Sequence, residues 1–556
     1  MSFESCFCSS LSKVMPVEAA PYAVESGCAL RGERFSFQLA YRCEGETKML
    51  RVRVNSPFGR ALRVRQVGLV PVDFLGTGFD EDVISRRPGL FPDLLSDFEK
   101  GEGWVPLSPD WNALWFTVDI PEDFPAGEHQ IEVVLGKFWA FANPPEEPVE
   151  LCRRTFKLEV LPAVLPPQQL KNTHWFHSDC LASYYHVPVF SEEHWRIIGN
   201  FMRDAVRHGH NMILTPVVTP PLDTMPGGER PTVQLVGVRR DDGVYSFDFS
   251  LLERWIRLAE ECGMRYFEMA HLFTQWGAKF TPKVMAQVDG MMQRIFGWDV
   301  PADSPAYRDF LNAFLPALGD YFRRRGMVDR VYFHCSDEPQ NEHLESYRYA
   351  QSLLRAHLAD FKFIDALSSV DFYHEGLVSI PVPCENHFSY FINEELPERW
   401  VYYCCCPMTT YCNRFIHMPS SRNWILGAIL YAYTIRGFLH WGYNFYYTML
   451  SRKLIDPYHC NSSGGFFPDG DAFVVYPGAN GEPEDSIRYE VFYEALQLQR
   501  QLEFLESLTS RDEVMALLNE AAGGGGLTME NYPRGEERAL KLRTEICRRL
   551  KDALLR

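Results

Sequence analysis

From about residue 170 the chain alternates short runs of β-branched and aromatic residues with windows of helical periodicity. This alternation constrains the fold more than any other feature. Strands that recur with helices between them build a parallel sheet, because parallel neighbours need a crossover connection. Strands are expected at 171–179, 212–218, 265–273, 330–338, 361–368, 381–387, 399–406 and 437–446. Helices are expected at 191–208, 249–262, 305–325, 341–358 and 421–435. Eight strands with intervening helices is the count of a (β/α)8 TIM-like barrel, although little helical pattern follows the sixth and seventh. A doubly wound sheet is the competitor. No G-x-G-x-x-G follows an early strand and no G-x-x-x-x-G-K-[ST] occurs, so the nucleotide-binding versions of that fold lack their signature.

The flanking segments read differently. Phe35–Tyr41, Leu50–Val54, Leu114–Val118, His129–Leu135 and Arg154–Leu161 are short β-rich runs separated by turn residues. They point to an all-β sandwich over 1–165. A proline-rich linker, Leu161-Pro-Ala-Val-Leu-Pro-Pro, leads to the barrel expected over 170–450. Residues 451–556 are expected to form a C-terminal β/helical extension that completes the barrel domain and ends in helices. Within it, 486–509 reads as a helix, Gly523–Gly526 as a hinge, and 534–555 as a charged amphipathic helix that packs or serves a homo-oligomer. The expected whole is multidomain.

Lys and Arg number 55 against 73 Asp and Glu, a net charge of −18. That balance argues against nucleic acid and anionic membrane surfaces as partners. No window of apolar residues is long enough to span a bilayer. The start, Met1-Ser-Phe-Glu-Ser-Cys-Phe-Cys, carries an early acid and does not read as a secretory signal. Fifteen cysteines are scattered without the spacing of a disulfide scaffold. Cys404-Cys405-Cys406 fall in an expected strand, where neighbours point to opposite faces and cannot form a compact metal cage alone. Reduced cysteines packed as small hydrophobes, in a cytoplasmic setting, are expected.

Chemistry concentrates at strand ends. Val331-Tyr-Phe-His-Cys-Ser-Asp-Glu-Pro339 is a buried-strand pattern that closes on two carboxylates and a proline. In a barrel, the C-terminal ends of the strands carry the active site. Asp337 and Glu338 are therefore the catalytic candidates, since paired carboxylates are the minimal apparatus for glycosidic cleavage. The alternative is that the pair favours the start of the following helix. The other strand ends offer His177, Asp179, His271, Trp276, Asn386, His387, Trp441, Tyr443 and Asn444. Amides and acids bind hydroxyls and rings stack on sugars, so these are candidate substrate-binding residues. Structural histidines and barrel-packing aromatics are the competing assignments. His334, Asp337 and His343 match no standard metal spacing and no H-E-x-x-H occurs, so neither a metal nor another cofactor is expected.

Phe333-His-Cys-Ser-Asp-Glu-Pro339 resembles the strand-end D-E-P signature of glycoside hydrolase family 123 and of its relatives in domain-of-unknown-function family 4091. The resemblance continues through Gly437–Asn444, Asp456-Pro-Tyr458, Pro468–Gly478 and Ser486–Glu490, roughly 330–500. After Glu490 the chain departs from it. The resemblance implies a retaining exo-acting β-N-acetylgalactosaminidase, or an enzyme for a related 2-acetamido sugar, acting on an oligosaccharide or glycoconjugate. It implies that the substrate's own acetamide attacks to form an oxazoline, with Asp337 stabilising that group and Glu338 as acid/base. A like charge beside Glu338 would favour its protonated form. A non-catalytic carbohydrate-binding barrel, a glycosidase for sugars without an acetamido group, and another barrel enzyme such as a transglycosidase or metal hydrolase are the alternatives. One tension remains in the residues themselves. On a regular strand Asp337 and Glu338 would face opposite ways, and both reach one pocket only if the strand has already bent.

Overall fold

The structure, a computed structural model, describes residues 3–43, 49–98, 103–106, 108–138 and 148–555. The chain divides into two compact units. The first comprises Met1–Gln168, Met408–Tyr433 and Glu484–Arg556; the second comprises Gln169–Pro407 and Thr434–Pro483.

The first unit holds two sheets. One runs Phe3–Ser9, Arg34–Cys43, Asn112–Asp119, Leu62–Val72, Gly89–Asp97, antiparallel throughout, and continues where Asp485 and Ser486 pair antiparallel with Leu95 and Leu94. The other runs Ser26–Arg31, Val149–Val164, Gly127–Phe138, Met49–Asn55, Gly103–Pro106. Phe7, Phe37 and Phe116 of the first sheet share one buried core with Ile131, Val133, Phe156 and Leu158 of the second. Phe37 stacks on Phe156 at 4.0 Å and on Phe116 at 4.8 Å between ring centroids.

Residues 484–556, expected with the barrel, belong to this first unit. Their charged groups explain why. The helix Ile487–Leu508 places Arg488 against Asp93 at 2.9 Å and Glu490 against Arg65, all buried. A buried ion requires its partner, so this helix is committed to the sheet that supplies Asp93 and Arg65. Cys28 and Cys547 form a disulfide across 519 residues of sequence, in place of the two reduced thiols expected. The expected helix at 421–435 is two short helices, Ser420–Trp424 and Leu426–Ala432, and it too falls in this unit.

The second unit contains the strand–helix repeat. Its eight strands are β1 (Lys171–His174), β2 (Met212–Thr215), β3 (Tyr266–Met269), β4 (Val331–Phe333), β5 (Lys362–Ala366), β6 (Ile380–Val382), β7 (Trp400–Tyr402) and β8 (Gly437–His440). Every neighbouring pair is parallel. The ladder is not a closed ring. β2-β3-β4-β5-β6 form one sheet and β1-β8-β7 another. Between β1 and β2 the Asn211 N–H donates to the Asn172 carbonyl at 3.2 Å. Between β6 and β7 there is one bridge, Cys384 to Tyr402. Pro381 and Pro383 bring no N–H to that edge, which accounts for the second gap. Inward residues of both sheets, among them Leu214, Tyr332, Ile364, Val382, Trp400 and Leu439, nevertheless form one buried cluster. Gly437 permits this packing, because a Cβ there would lie 1.9 Å from the Trp400 indole.

Each strand stops short of its expected end. A four-stranded sheet that the sequence reading did not anticipate, ordered Val244–Asp248, Gly237–Asp241, Val284–Val288, Met291–Phe296, is inserted into this unit.

Candidate active site

β4 ends at Phe333, not at Glu338. Asp337 and Glu338 lie in the bend beyond it, and Glu338 has φ = 44°, left-handed backbone that non-glycine residues seldom adopt. The bend is held from both sides. Trp276 N–H donates to the Asp337 carbonyl at 3.0 Å, and Glu338 N–H donates to the Ala366 carbonyl at 3.1 Å. Strand alternation therefore does not apply to the pair, and both residues line one pocket. That resolves the tension in the sequence.

The pocket has a cavity volume of about 180 Å³. Trp175, Trp276, Trp441 and Phe467 supply aromatic walls, and Asp223, Gln275 and Tyr402 supply polar ones. Tyr402 Oη donates to Glu338 Oε1 at 2.6 Å. Trp441 is oriented by its indole N–H, which donates to Asp471 at 2.9 Å. Asp223 adds a third carboxylate. Its Oδ2 accepts from the Leu450 N–H at 2.9 Å, and burial pushes its pKa up to about 6 against that bond. Asp337 is held well above the usual carboxylate range, first by burial and then by the Glu338 charge.

Beneath the pair lies a fully buried charged floor. His334 Nδ1 meets Asp365 at 3.1 Å and its Nε2 meets Glu268 at 2.9 Å. Burial opposes the imidazolium, but Asp365 and then Glu268 outweigh it, and the pKa stands at about 9. Tyr347 and the Cys335 N–H also donate to Asp365, and Thr173 to Glu268. His271 stacks on His334 at 4.3 Å, and burial, then the His334 charge, drive its pKa well down. Ligand atoms of His271, His334 and Asp365 lie within 4.8 Å of one another. Both His334 ring nitrogens are already engaged by carboxylates in this grouping.

The model of the glycoside hydrolase 123 catalytic domain matches residues 175–505, which contain the pocket. The chain belongs to glycoside hydrolase family 123. It is accordingly a glycosidase. Among solved structures, a family 123 glycoside hydrolase from Clostridium perfringens, studied for glycolipid glycan hydrolysis, superposes with a TM-score of 0.72 at 13% identity. That match covers 100% of this chain and 98% of that one, and at this identity it speaks to the fold. A β-D-glucuronidase from Dictyoglomus thermophilum matches at a TM-score of 0.33 and 8% identity, over 83% of this chain and 66% of that one. That likeness is too weak to carry an argument. No curated protein matches in sequence.

In this family 123 chain the pocket brings together Asp337, Glu338, Trp276 and Trp441 of the residues expected from sequence. The others lie elsewhere. His177 and Asp179 are held by the buried Arg230, which donates to both Asp179 oxygens at 2.7 and 2.9 Å and to His177 Nδ1 at 3.1 Å. His177 Nε2 meets the Trp441 carbonyl at 2.9 Å, and burial with the Arg230 charge lowers its pKa to about 3. Asn444 bonds the His177 backbone, and Tyr443 Oη donates to Phe201 O and Asp204. Both are fully buried. His271 belongs to the floor. Asn386 and His387 sit in the turn Glu385–Phe391 and do not line the pocket. Tyr402 and Asp223 were missed. Tyr402 follows the rule of strand ends, being the last residue of β7. Asp223 lies in a loop without a local signal.

Proposed function

We propose that this family 123 glycosidase removes a terminal β-linked N-acetylgalactosamine, or a related 2-acetamido sugar, with retention and through an oxazoline. The carrying observation is that two adjacent carboxylates share one small pocket. Side by side, they have little freedom to flank a sugar as separate acid and nucleophile. The arrangement suits a reaction whose nucleophile comes with the substrate.

In this reading the sugar ring stacks in the aromatic walls and its acetamide N–H donates to Asp337. That bond favours the ionised carboxylate, so as substrate binds Asp337 passes its proton to the adjacent Glu338, which is thereby charged as the acid, and the Asp337 charge supports the developing oxazolinium. The acetamide oxygen attacks the anomeric carbon while Glu338 protonates the departing oxygen. Glu338 then takes a proton from the water that opens the oxazoline. Tyr402 aims Glu338, and Asp223 accepts from a sugar hydroxyl. The His334 imidazolium sets the potential beneath Asp337. We read the eight strands as a (β/α)8 barrel with two seams, and the pocket as the mouth at its C-terminal end.

The test is a set of aryl β-glycosides that differ only at the 2-position. Turnover of the 2-acetamido sugars alone supports the reading; equal turnover of the 2-hydroxy sugars contradicts it.

A further inference from the structure

Cys404-Cys405-Cys406 looked inert in the sequence, because strand neighbours point apart. The structure removes that reason. β7 ends at Tyr402, and the chain bends through 404–405 with the Cys404 N–H donating to the Cys406 carbonyl at 3.0 Å. The Cys404 and Cys405 sulfurs lie 3.9 Å apart, both residues are half-buried, and neither is in a disulfide. Both line the pocket that holds Asp337 and Glu338. The neighbouring Cys384 thiol is turned to the Cys406 carbonyl at 3.6 Å.

We propose that Cys404 and Cys405 form a dithiol site in the wall of the catalytic pocket that captures a neutral trivalent arsenical and thereby blocks the pocket.

Three kinds of chemistry compete for two adjacent thiols. A disulfide between them is strained, since consecutive Cα atoms are about 3.8 Å apart and disulfides usually span about 4.4–6.8 Å. A divalent metal requires thiolates. Here the Cys404 thiol is held well up by its bond with Cys405, by burial and by the Glu338 charge. A second anion beside those carboxylates is costlier still. A trivalent arsenical avoids both penalties. With R–As=O, two S–H bonds break and two As–S bonds form. The oxygen leaves as water with the two thiol protons. Arsenic keeps its oxidation state, and the product ring is neutral. It stands beside Tyr402 and Glu338, where the leaving group is placed in the proposed reaction.

Only the loss of activity rests on the proposed function; capture itself is read by mass. The full chain is titrated with phenylarsine oxide and followed by intact-protein mass and by hydrolysis of an aryl β-N-acetylgalactosaminide. One equivalent should add and abolish most activity. 2,3-Dimercaptopropanol should reverse both effects, and a monothiol should reverse neither. Cys405→Ser and Cys404→Ser should each fail to hold the adduct. Glu338→Gln, inactive by the mechanism above, should still form it, so capture stands or falls apart from catalysis. The proposal is overturned by an adduct that persists in both cysteine variants, by one that peptide mapping places elsewhere, by no adduct at all, or by full activity with the pair occupied.

Discussion

Two charged clusters in the second unit are built from similar residues and behave oppositely. In His177–Asp179–Arg230 each polar atom of the two acidic and basic partners is turned inward: Asp179 receives a two-pronged guanidinium, and His177 is held at both ring nitrogens. In Asp337–Glu338–Asp223 the carboxylates face a cavity, with Tyr402 on one oxygen of Glu338 and a single backbone N–H on Asp223. In this second cluster burial outweighs the nearby positive charges, and the Asp223 and Asp337 carboxyls are both raised. Residue type at a strand end does not distinguish machinery from scaffold. The direction of the partners does.

That contrast breaks or holds in a graded series. The largest effect is expected for Glu338→Gln, a fall in kcat of about 10³-fold on aryl β-N-acetylgalactosaminide, as for loss of a general acid. Its melting temperature should stay near that of the parent, and near-parent turnover would remove Glu338 from the mechanism. Tyr402→Phe deletes one hydrogen bond to that acid and should lower kcat about tenfold, with KM little changed, given roughly 1.5 kcal/mol for a bond to a charged group. A change confined to KM would argue that Tyr402 binds sugar instead.

The floor is tested by pH. The folded pKa of His334, about 9, lies above the ordinary 6.5. Its proton therefore stabilises the fold fully below about pH 6.5, and that contribution is lost as pH rises through 9. The amount is on the order of 3 kcal/mol. Thermal melts should fall across this window and flatten there in His334→Asn; a parallel decline in both would reassign the effect. Smallest in catalysis is Asp179→Asn. It leaves Arg230 buried without its partner and should cost about 3–5 kcal/mol of stability, with kcat/KM per folded molecule near that of the parent. A selective collapse of kcat/KM would place Asp179 in the machinery after all.

The same contrast explains what could be read from sequence. All eight parallel strands were legible, because buried β-branched and aromatic runs announce them. Their ends were not. His440-Trp-Gly-Tyr-Asn-Phe-Tyr446 continues the aromatic pattern past the end of β8, yet a Cβ at Gly442 would lie 2.4 Å from the Ala472 carbonyl, and the chain has already left the sheet. Asp337 and Glu338 were legible because two acids before a proline are unusual on a strand. Which face they share was not, since it depends on Trp276 and Ala366, distant in sequence, holding the bend. Tyr402 is an ordinary tyrosine until Glu338 is set beside it. The Cys28–Cys547 disulfide and the ion pairs of Arg488 likewise join residues whose separation in sequence carries no signal.

The central claim is that Asp337 and Glu338 serve a nucleophile carried by the substrate. The most direct measurement is inhibition by the galacto-configured thiazoline that mimics the oxazoline, on the parent enzyme and on Asp337→Asn. Competitive inhibition at least about 10²-fold tighter than by N-acetylgalactosamine, as for a transition-state analogue, with most of that advantage lost in the variant, is the predicted result. A thiazoline that binds no better than the sugar, or equally well to both proteins, would contradict the account.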